Sequence, residues 1–276
     1  MALPFVSREH LIQALRLAPW PIRRAVFTRR YEREINRTGE AELLLLRTFL
    51  KSGDLCLDIG ANLGTYAFEL GRLTGNCIAF EPNPHLARIV RGLRLEGVDL
   101  RQLAAADAAG TSEFAVPRSK FGHALGRLRA NADDGTGDDV YTVKTIKIDD
   151  LGLRDLRFVK IDVEGFEEGV LRGAVETIQR DMPILLIEIE ERQNPGGLAR
   201  ITRSLSSYGY SGYFYDEGWI PIKDFEASRH QPADGDDPDG QVARRSLRFF
   251  NNFLFAQEHP PGSVQRANDN VTGPLT

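Results

Sequence analysis

An α/β fold with a mostly parallel sheet of seven strands, helices on both faces and a helical N-terminal extension is predicted by three features of the 276-residue chain. From residue 55 onward, short apolar runs alternate with stretches of helical period. Those runs are apolar throughout, as in strands covered on both sides. Residues 1 to 50, by contrast, carry helical periodicity and no strand pattern.

Taken in order, Ser7 caps a first helix whose stripe is Leu11, Leu15 and Ala18, and Pro19 stops it. A second helix, 21 to 36, carries Arg23, Arg24, Arg29, Arg30 and Arg33, with Arg37 just beyond. Glu32 and Glu34 interleave with them, so a solvated helix face and a surface for an anionic substrate or a membrane both fit. The third helix holds Leu43, Leu46 and Leu50 and ends near Gly53. Strands follow at Leu55 to Ile59, Cys77 to Phe80 and Leu100 to Ala105, separated by helices bearing Leu63, Ala67 and Leu70, then Leu86, Ile89, Val90 and Leu93.

Residues 111–116 and 141–148 alternate like the strands of a hairpin. Between them, 117–139 is basic and then acidic and Gly-rich, the pattern of a lid or a flexible insertion. The α/β rhythm resumes with a strand at Phe158 to Ile161, a helix from Phe166 to Arg180 and a strand at Pro183 to Ile189. A helix marked by Leu198, Ile201, Leu205 and Tyr208 then ends at Gly209. The last strands are Tyr213 to Tyr215 and Phe249 to Phe255. The division expected is an extension over 1–50, one domain over 51–257 with a mobile loop at 224–241, and a disordered tail over 258–276.

Composition narrows the function. A net charge of −4 argues against a dedicated nucleic-acid binder. Cys56 and Cys77 match neither a disulfide framework nor zinc-ligand spacing and read as buried thiols of a reducing compartment. No run approaches the roughly 18 apolar residues of a membrane span, and Met1 to Val6 lack the charged start and apolar core of a secretory signal. A cytoplasmic protein is the expectation.

Three stretches carry chemistry. In the first, Asp58-Ile59-Gly60-Ala61-Asn62-Leu63-Gly64 spans a strand-to-helix turn. Gly60 permits the turn, small Ala61 and Gly64 leave room beside a ligand, and Asp58 is placed to hold an ammonium group or to organise the loop. A dinucleotide site would have glycine where Ala61 stands, to admit a pyrophosphate. In the second, Glu81 at the next strand end suits a ribose diol. Pro82 and Pro84 stiffen the turn there, and Asn83 reads as lining an adenine edge. In the third, Lys160-Ile161-Asp162-Val163-Glu164-Gly165-Phe166-Glu167 follows the fourth strand of the sheet. Asp162 is expected to face the crevice. Glu164 either caps the following helix or orients a hydroxyl. His123, within the 117–139 segment, is a lesser candidate base, and the other histidines read as superficial.

These stretches, with Val170-Leu171-Arg172-Gly173 after them, resemble the FkbM family of methyltransferases over roughly residues 50 to 195. The resemblance implies a Rossmann-like class I methyltransferase sheet, S-adenosylmethionine as methyl donor and O-methylation of a sugar, glycan or natural product. It places Asp58, Gly60, Asn62, Glu81 and Asp162 around the cofactor, and Ala105 in the loop that passes near adenine. Asp107 either belongs to that loop's contacts or builds an Asp-x-x-Gly turn. Asp162, then Glu164, is expected to accept or orient the acceptor proton. The acids Asp162, Glu164, Glu188 and Glu190 have oxygens that suit Mg²⁺, but spacing fixes no geometry and no metal is assigned. Two rival readings stand beside this one: a nicotinamide-dependent oxidoreductase on a related sheet, and a non-catalytic protein that binds a partner through its N-terminal arginines.

Overall fold

The computed structural model describes residues 19–33, 41–118, 126–128, 138–231 and 249–260. Two helices come first, α1 (Trp20–Arg33) and α2 (Ala41–Phe49). Three strands joined by two helices follow: β1 (Leu55–Ile59), α3 (Thr65–Thr74), β2 (Cys77–Phe80), α4 (Pro84–Leu93) and β3 (Val98–Arg101). Then come β4 (Ala104–Ala105), β5 (Gly110–Val116), β6 (Arg127–Leu128), β7 (Asp139–Ile146) and β8 (Leu156–Ile161). The chain continues through α5 (Glu167–Arg172), α6 (Val175–Asp181), β9 (Ile184–Glu188), α7 (Gly197–Ser206), β10 (Ser211–Tyr215), β11 (Trp219–Pro221), α8 (Ala227–His230) and β12 (Asn252–Ala256).

Among the described residues the main sheet has eight strands, in the order β11-β10-β12-β9-β8-β1-β2-β3. The five from β9 to β3 are parallel, and β12 and β11 run against their neighbours. The count exceeds the seven expected because Trp219–Pro221 folds back on β10 as a short hairpin strand. Both faces are buried, and alternation along each strand decides which residue serves which face. Leu57, Ile59, Ile78, Phe80, Val159 and Ile161 pack with Val170, Ile178, Leu198 and Ile201 of α5 to α7. Cys56, Cys77, Ala79, Phe158 and Leu186 pack on the opposite face with Tyr66, Leu70 and Leu86 of α3 and α4. Phe27 and Tyr31 of α1, and Leu43 and Leu46 of α2, join that second layer, so the described residues from 19 to 50 share a core with the sheet.

Burial pushes the Cys56 thiol up to about 12 and raises that of Cys77, which leaves both as apolar filling. The run expected as one strand, Leu100 to Ala105, divides. Val98–Arg101 extends the main sheet, while Ala104–Ala105 pairs with β7 in a second sheet of order β4-β7-β5-β6. The expected hairpin of β5 and β7 is the centre of that sheet.

The helix expected over 166–180 breaks at Gly173, where a Cβ would stand 2.0 Å from the carbonyl oxygen of Ala106. Helix α7 ends at Ser206 with Ser207 as its C-cap, three residues before the Gly209 expected, and Gly209 lies in the turn that follows. Tyr210 N–H donates to Leu205 O (3.2 Å) and Gly209 N–H to Ser206 O (3.0 Å), with Gly209 left-handed at φ +90°. The loop expected from 224 is described as far as 231. His230 lies among Phe214, Phe225 and Phe250, and Gln231 ties it to Glu191, Ile189 and Phe250. In the expected tail, His259 Nδ1 is 2.6 Å from the hydroxyl of Tyr213. The first helix, His123, most of the 117–139 segment, residues 232–248 and those after 260 lie outside the described residues.

Candidate active site

A cleft opens at the C-terminal ends of β1, β2 and β8, where an open parallel sheet leaves room between its loops. Two turns meet at its floor. Gly60 has φ +86°, and a Cβ there would fall 1.8 Å from the carbonyl oxygen of Asp162. The glycine therefore lets the β1 turn lie against the β8 turn, and Asp162 N–H donates to Ile59 O at 2.9 Å. Gly60 and Ala61 N–H both donate to Phe80 O at 2.9 Å, which joins the end of β2 to the same floor. Tyr31 of α1 donates its hydroxyl to the carbonyl of Leu63 and braces the loop from behind.

Glu81 is buried at the cleft wall and gathers two backbone donors. Asn62 N–H reaches Oε2 at 2.6 Å and Asn83 N–H reaches Oε1 at 2.7 Å. Burial pushes its carboxyl up to about 8; the two N–H donors oppose the rise, and the charges of Asp58 and Asp162 add to it. Beside Glu81 runs an apolar slot of Phe80, Leu86, Leu103, Phe114 and Leu128. The second sheet supplies the last two, since β6 pairs Leu128 with Phe114.

Of the residues expected around a cofactor, Gly60, Asn62, Glu81, Pro82, Ala105 and Asp162 line the cleft, as does Glu164. Asp58, Ala61, Gly64 and Asn83 do not. Asp58 is buried on the α3 side of β1, and Ala61 packs in the core of that face. The room at Gly64 is taken by Val90 and Leu95 rather than by a ligand, with Val90 Cγ1 3.3 Å from where a Cβ would stand. Asn83, expected at an adenine edge, is 1% exposed and caps α4 by accepting from His85 N–H at 2.9 Å. Asp107 forms an ion pair with Arg172 at 3.0 Å, away from the cleft.

Opposite Glu81, Asp162 stands 30% exposed with Oδ2 3.9 Å from Lys160 Nζ. Glu164 holds a left-handed backbone, φ +50°, and accepts from Gln193 Nε2 at 2.5 Å. It caps no helix. The N-cap of α5 is Phe166, without a side-chain cap bond, while buried Glu167 folds back to accept from Gly165 N–H at 2.7 Å in the turn before the helix, and burial raises its carboxyl. Asn251 Nδ2 bridges Glu188 (2.5 Å) and Glu190 (3.2 Å), and Arg192 pairs with Glu190 at 2.8 Å. Among the described residues no three His, Cys, Asp or Glu side chains are arranged to hold a metal, and no helix is long and apolar enough to cross a membrane.

Lys160 was not singled out by its sequence context, although a lysine inside the apolar run Phe158-Val159-Lys160-Ile161 is the signal that finds it. Phe114 and Leu128 gave no comparable sign, because only tertiary folding brings their sheet to the cleft.

The Methyltransferase FkbM domain model matches residues 58–211, more than half of the chain. No curated protein matches the sequence. Among solved structures, Methyltransferase FkbM from Methylobacillus flagellatus is 15% identical with a TM-score of 0.48, covering 75% of this chain and 44% of its own. The chain thus spans less than half the length of that structure. An rRNA methylase from Streptococcus thermophilus is 12% identical (TM-score 0.42; 79% of this chain, 95% of that one). A Streptococcus mutans protein in complex with SAH is 9% identical (TM-score 0.42; 78% and 95%).

Proposed function

The chain belongs to the FkbM methyltransferase family, and from that premise we propose that it moves a methyl group from S-adenosylmethionine to a hydroxyl oxygen of a sugar, glycan or natural product. The observation that carries this reading is the junction of a buried carboxylate, Glu81, with an apolar slot in one cleft that also exposes Asp162. An adenosyl group asks for that pairing: acceptor oxygens for the ribose diol and flat apolar walls for the base. Glu81 keeps acceptor capacity beyond its two backbone donors, since a carboxylate offers about four lone-pair sites. Phe80, Leu86, Phe114 and Leu128 supply the walls.

The donor brings an activated methyl, so the chain's own work is positioning. It holds the acceptor oxygen about 3 Å from the reacting carbon in an aligned approach and keeps water away. Asp162, at the mouth between the two turns, accepts or orients the acceptor proton, with Glu164 beside it. Side chains that exchange hydrogen bonds readily, Glu164, Gln193, Glu190 and Asn251, border this end and suit an acceptor rich in hydroxyls.

Thermal unfolding of the full chain tests the reading. A ligand that binds only the folded state raises the melting temperature by mass action. S-adenosylhomocysteine is expected to raise it and NAD to leave it unchanged. Stabilisation by NAD alone turns the assignment to a nicotinamide enzyme, and no response to either turns it to a non-catalytic binding protein.

A further inference from the structure

The side chain of Lys160 is the one cation placed inside the sheet among the described residues, at 0% exposure. Polar groups reach its Nζ although its register partner on β9 is Leu186. Asn252 Oδ1 of β12 accepts from Nζ at 3.0 Å, Glu188 Oε2 of β9 is 3.8 Å away and Asp162 Oδ2 is 3.9 Å away. Nζ also lies 5.0 Å from the ring centroid of Tyr66 on α3. Register puts Asp58 of β1 beside Lys160, on the same sheet face, and pairs Glu188 with Asn252. Lys160 thus sits level with Asp58 of β1 and Leu186 of β9, while the Glu188–Asn252 pair stands two residues further toward the cleft on the same face, as Asp162 stands two residues beyond Lys160. Two carboxylates, Asp162 and Glu188, lie within 4 Å of an ammonium that solvent does not reach, and Asp58 is its register neighbour on β1. A buried lysine is tolerated only where such partners surround it.

We propose that Lys160 is a positioning residue: its ammonium clamps the carboxylates of Asp162 and Glu188, fixing where Asp162 stands in the cleft and how much negative charge the site presents to a cationic ligand. The inference rests on the reading of Asp162 as the group that receives or orients the acceptor proton. It adds a reason for a lysine, rather than an apolar residue, in a strand otherwise built for the core. It also separates Lys160 from the reacting atoms, since an ammonium with no exposed surface touches neither donor nor acceptor.

The test uses the full chain and two probes of equal shape and different charge, S-adenosylmethionine with its sulfonium and the neutral S-adenosylhomocysteine. In Lys160→Met the site loses a positive charge. The affinity ratio between cationic and neutral probe then rises on the order of five-fold or more, as a unit charge acting at short range in partly shielded surroundings requires. Lys160→Arg keeps the charge and restores the wild-type ratio. A merely structural lysine would shift both affinities together, so an unchanged ratio overturns the electrostatic role.

The clamp is also read without any ligand, from thermal unfolding of wild type, K160M, E188Q and the double variant. K160M is expected to lower the melting temperature by at least about twice as much in the wild-type background as in E188Q, because partners in one ion network couple. Equal losses in the two backgrounds overturn the clamp. Asn252→Leu, which withdraws the amide but leaves the ammonium, supplies the same cycle where K160M does not fold. Failure of both probes to bind the wild type counts against the methyltransferase reading, while the unfolding cycle still decides the clamp.

Discussion

The two walls of the cleft are held by different kinds of bond. On the Glu81 side, polar contacts run from side chain to backbone: Glu81 to the N–H groups of Asn62 and Asn83, and Asn83 to that of His85. On the Glu164 side, side chains hold one another: Lys160 with Asn252, Gln193 with Glu164 and Glu190, Asn251 with Glu188 and Glu190. Backbone donors stay in place whatever the neighbouring side chains become, so the first wall is pre-set for one constant ligand. The second is a network whose shape changes with each member, which suits the end where an acceptor must be chosen. The two meet at Gly60 and Asp162.

The strongest way to break the comparison is at that meeting point. Gly60→Ala introduces a Cβ 1.8 Å from a backbone oxygen at a left-handed φ. Relief requires the two turns to part, a cost expected to reach roughly 4 kcal/mol or more, in the range of exceptional single substitutions. Urea unfolding measures it, and a midpoint near the wild type would mean that the walls are not joined there.

Asp162→Asn sharpens the distinction between the walls. It keeps the shape and removes the base, so turnover should drop by about 10²- to 10⁴-fold while S-adenosylhomocysteine affinity holds. Labelled methyl transfer and calorimetry report the two quantities. Full activity in this variant would remove Asp162 from the reaction.

Glu81→Gln acts on the other wall and on stability. Measured above pH 8, where Glu81 is ionised, loss of a charged acceptor for two hydroxyls should weaken S-adenosylhomocysteine binding by roughly 2–3 kcal/mol, near 100-fold. Its pH dependence has a definite sign. Burial raises the folded-state carboxyl to about 8 from its ordinary 4.5. The protonated form is therefore favoured by folding, and that contribution is complete below 4.5 and lost as pH climbs through 8. Glutamine does not titrate, so the stability of Glu81→Gln relative to wild type should grow between pH 4.5 and 8 and then level off. Parallel pH curves for the two proteins would show that Glu81 is not buried as a carboxyl.

The sequence by itself determined the parallel strands β1, β2, β8 and β9, the turn glycine at Gly60, and the carboxylates Glu81 and Asp162 at strand ends. Each follows from local rules: apolar runs of strand length, helical period between them, and a residue free to take positive φ. Tertiary structure alone decided that Val98–Arg101 and Ala104–Ala105 go to different sheets, that Glu164 turns to Gln193 rather than to the helix after it, and that Phe114 and Leu128 wall the slot. It alone gave Lys160 its partner Asn252, 92 residues away, and Glu164 its partner Gln193, 29 residues away. Period and propensity act over a few neighbouring residues, whereas the charge balance of a buried site depends on which distant strands the sheet places side by side.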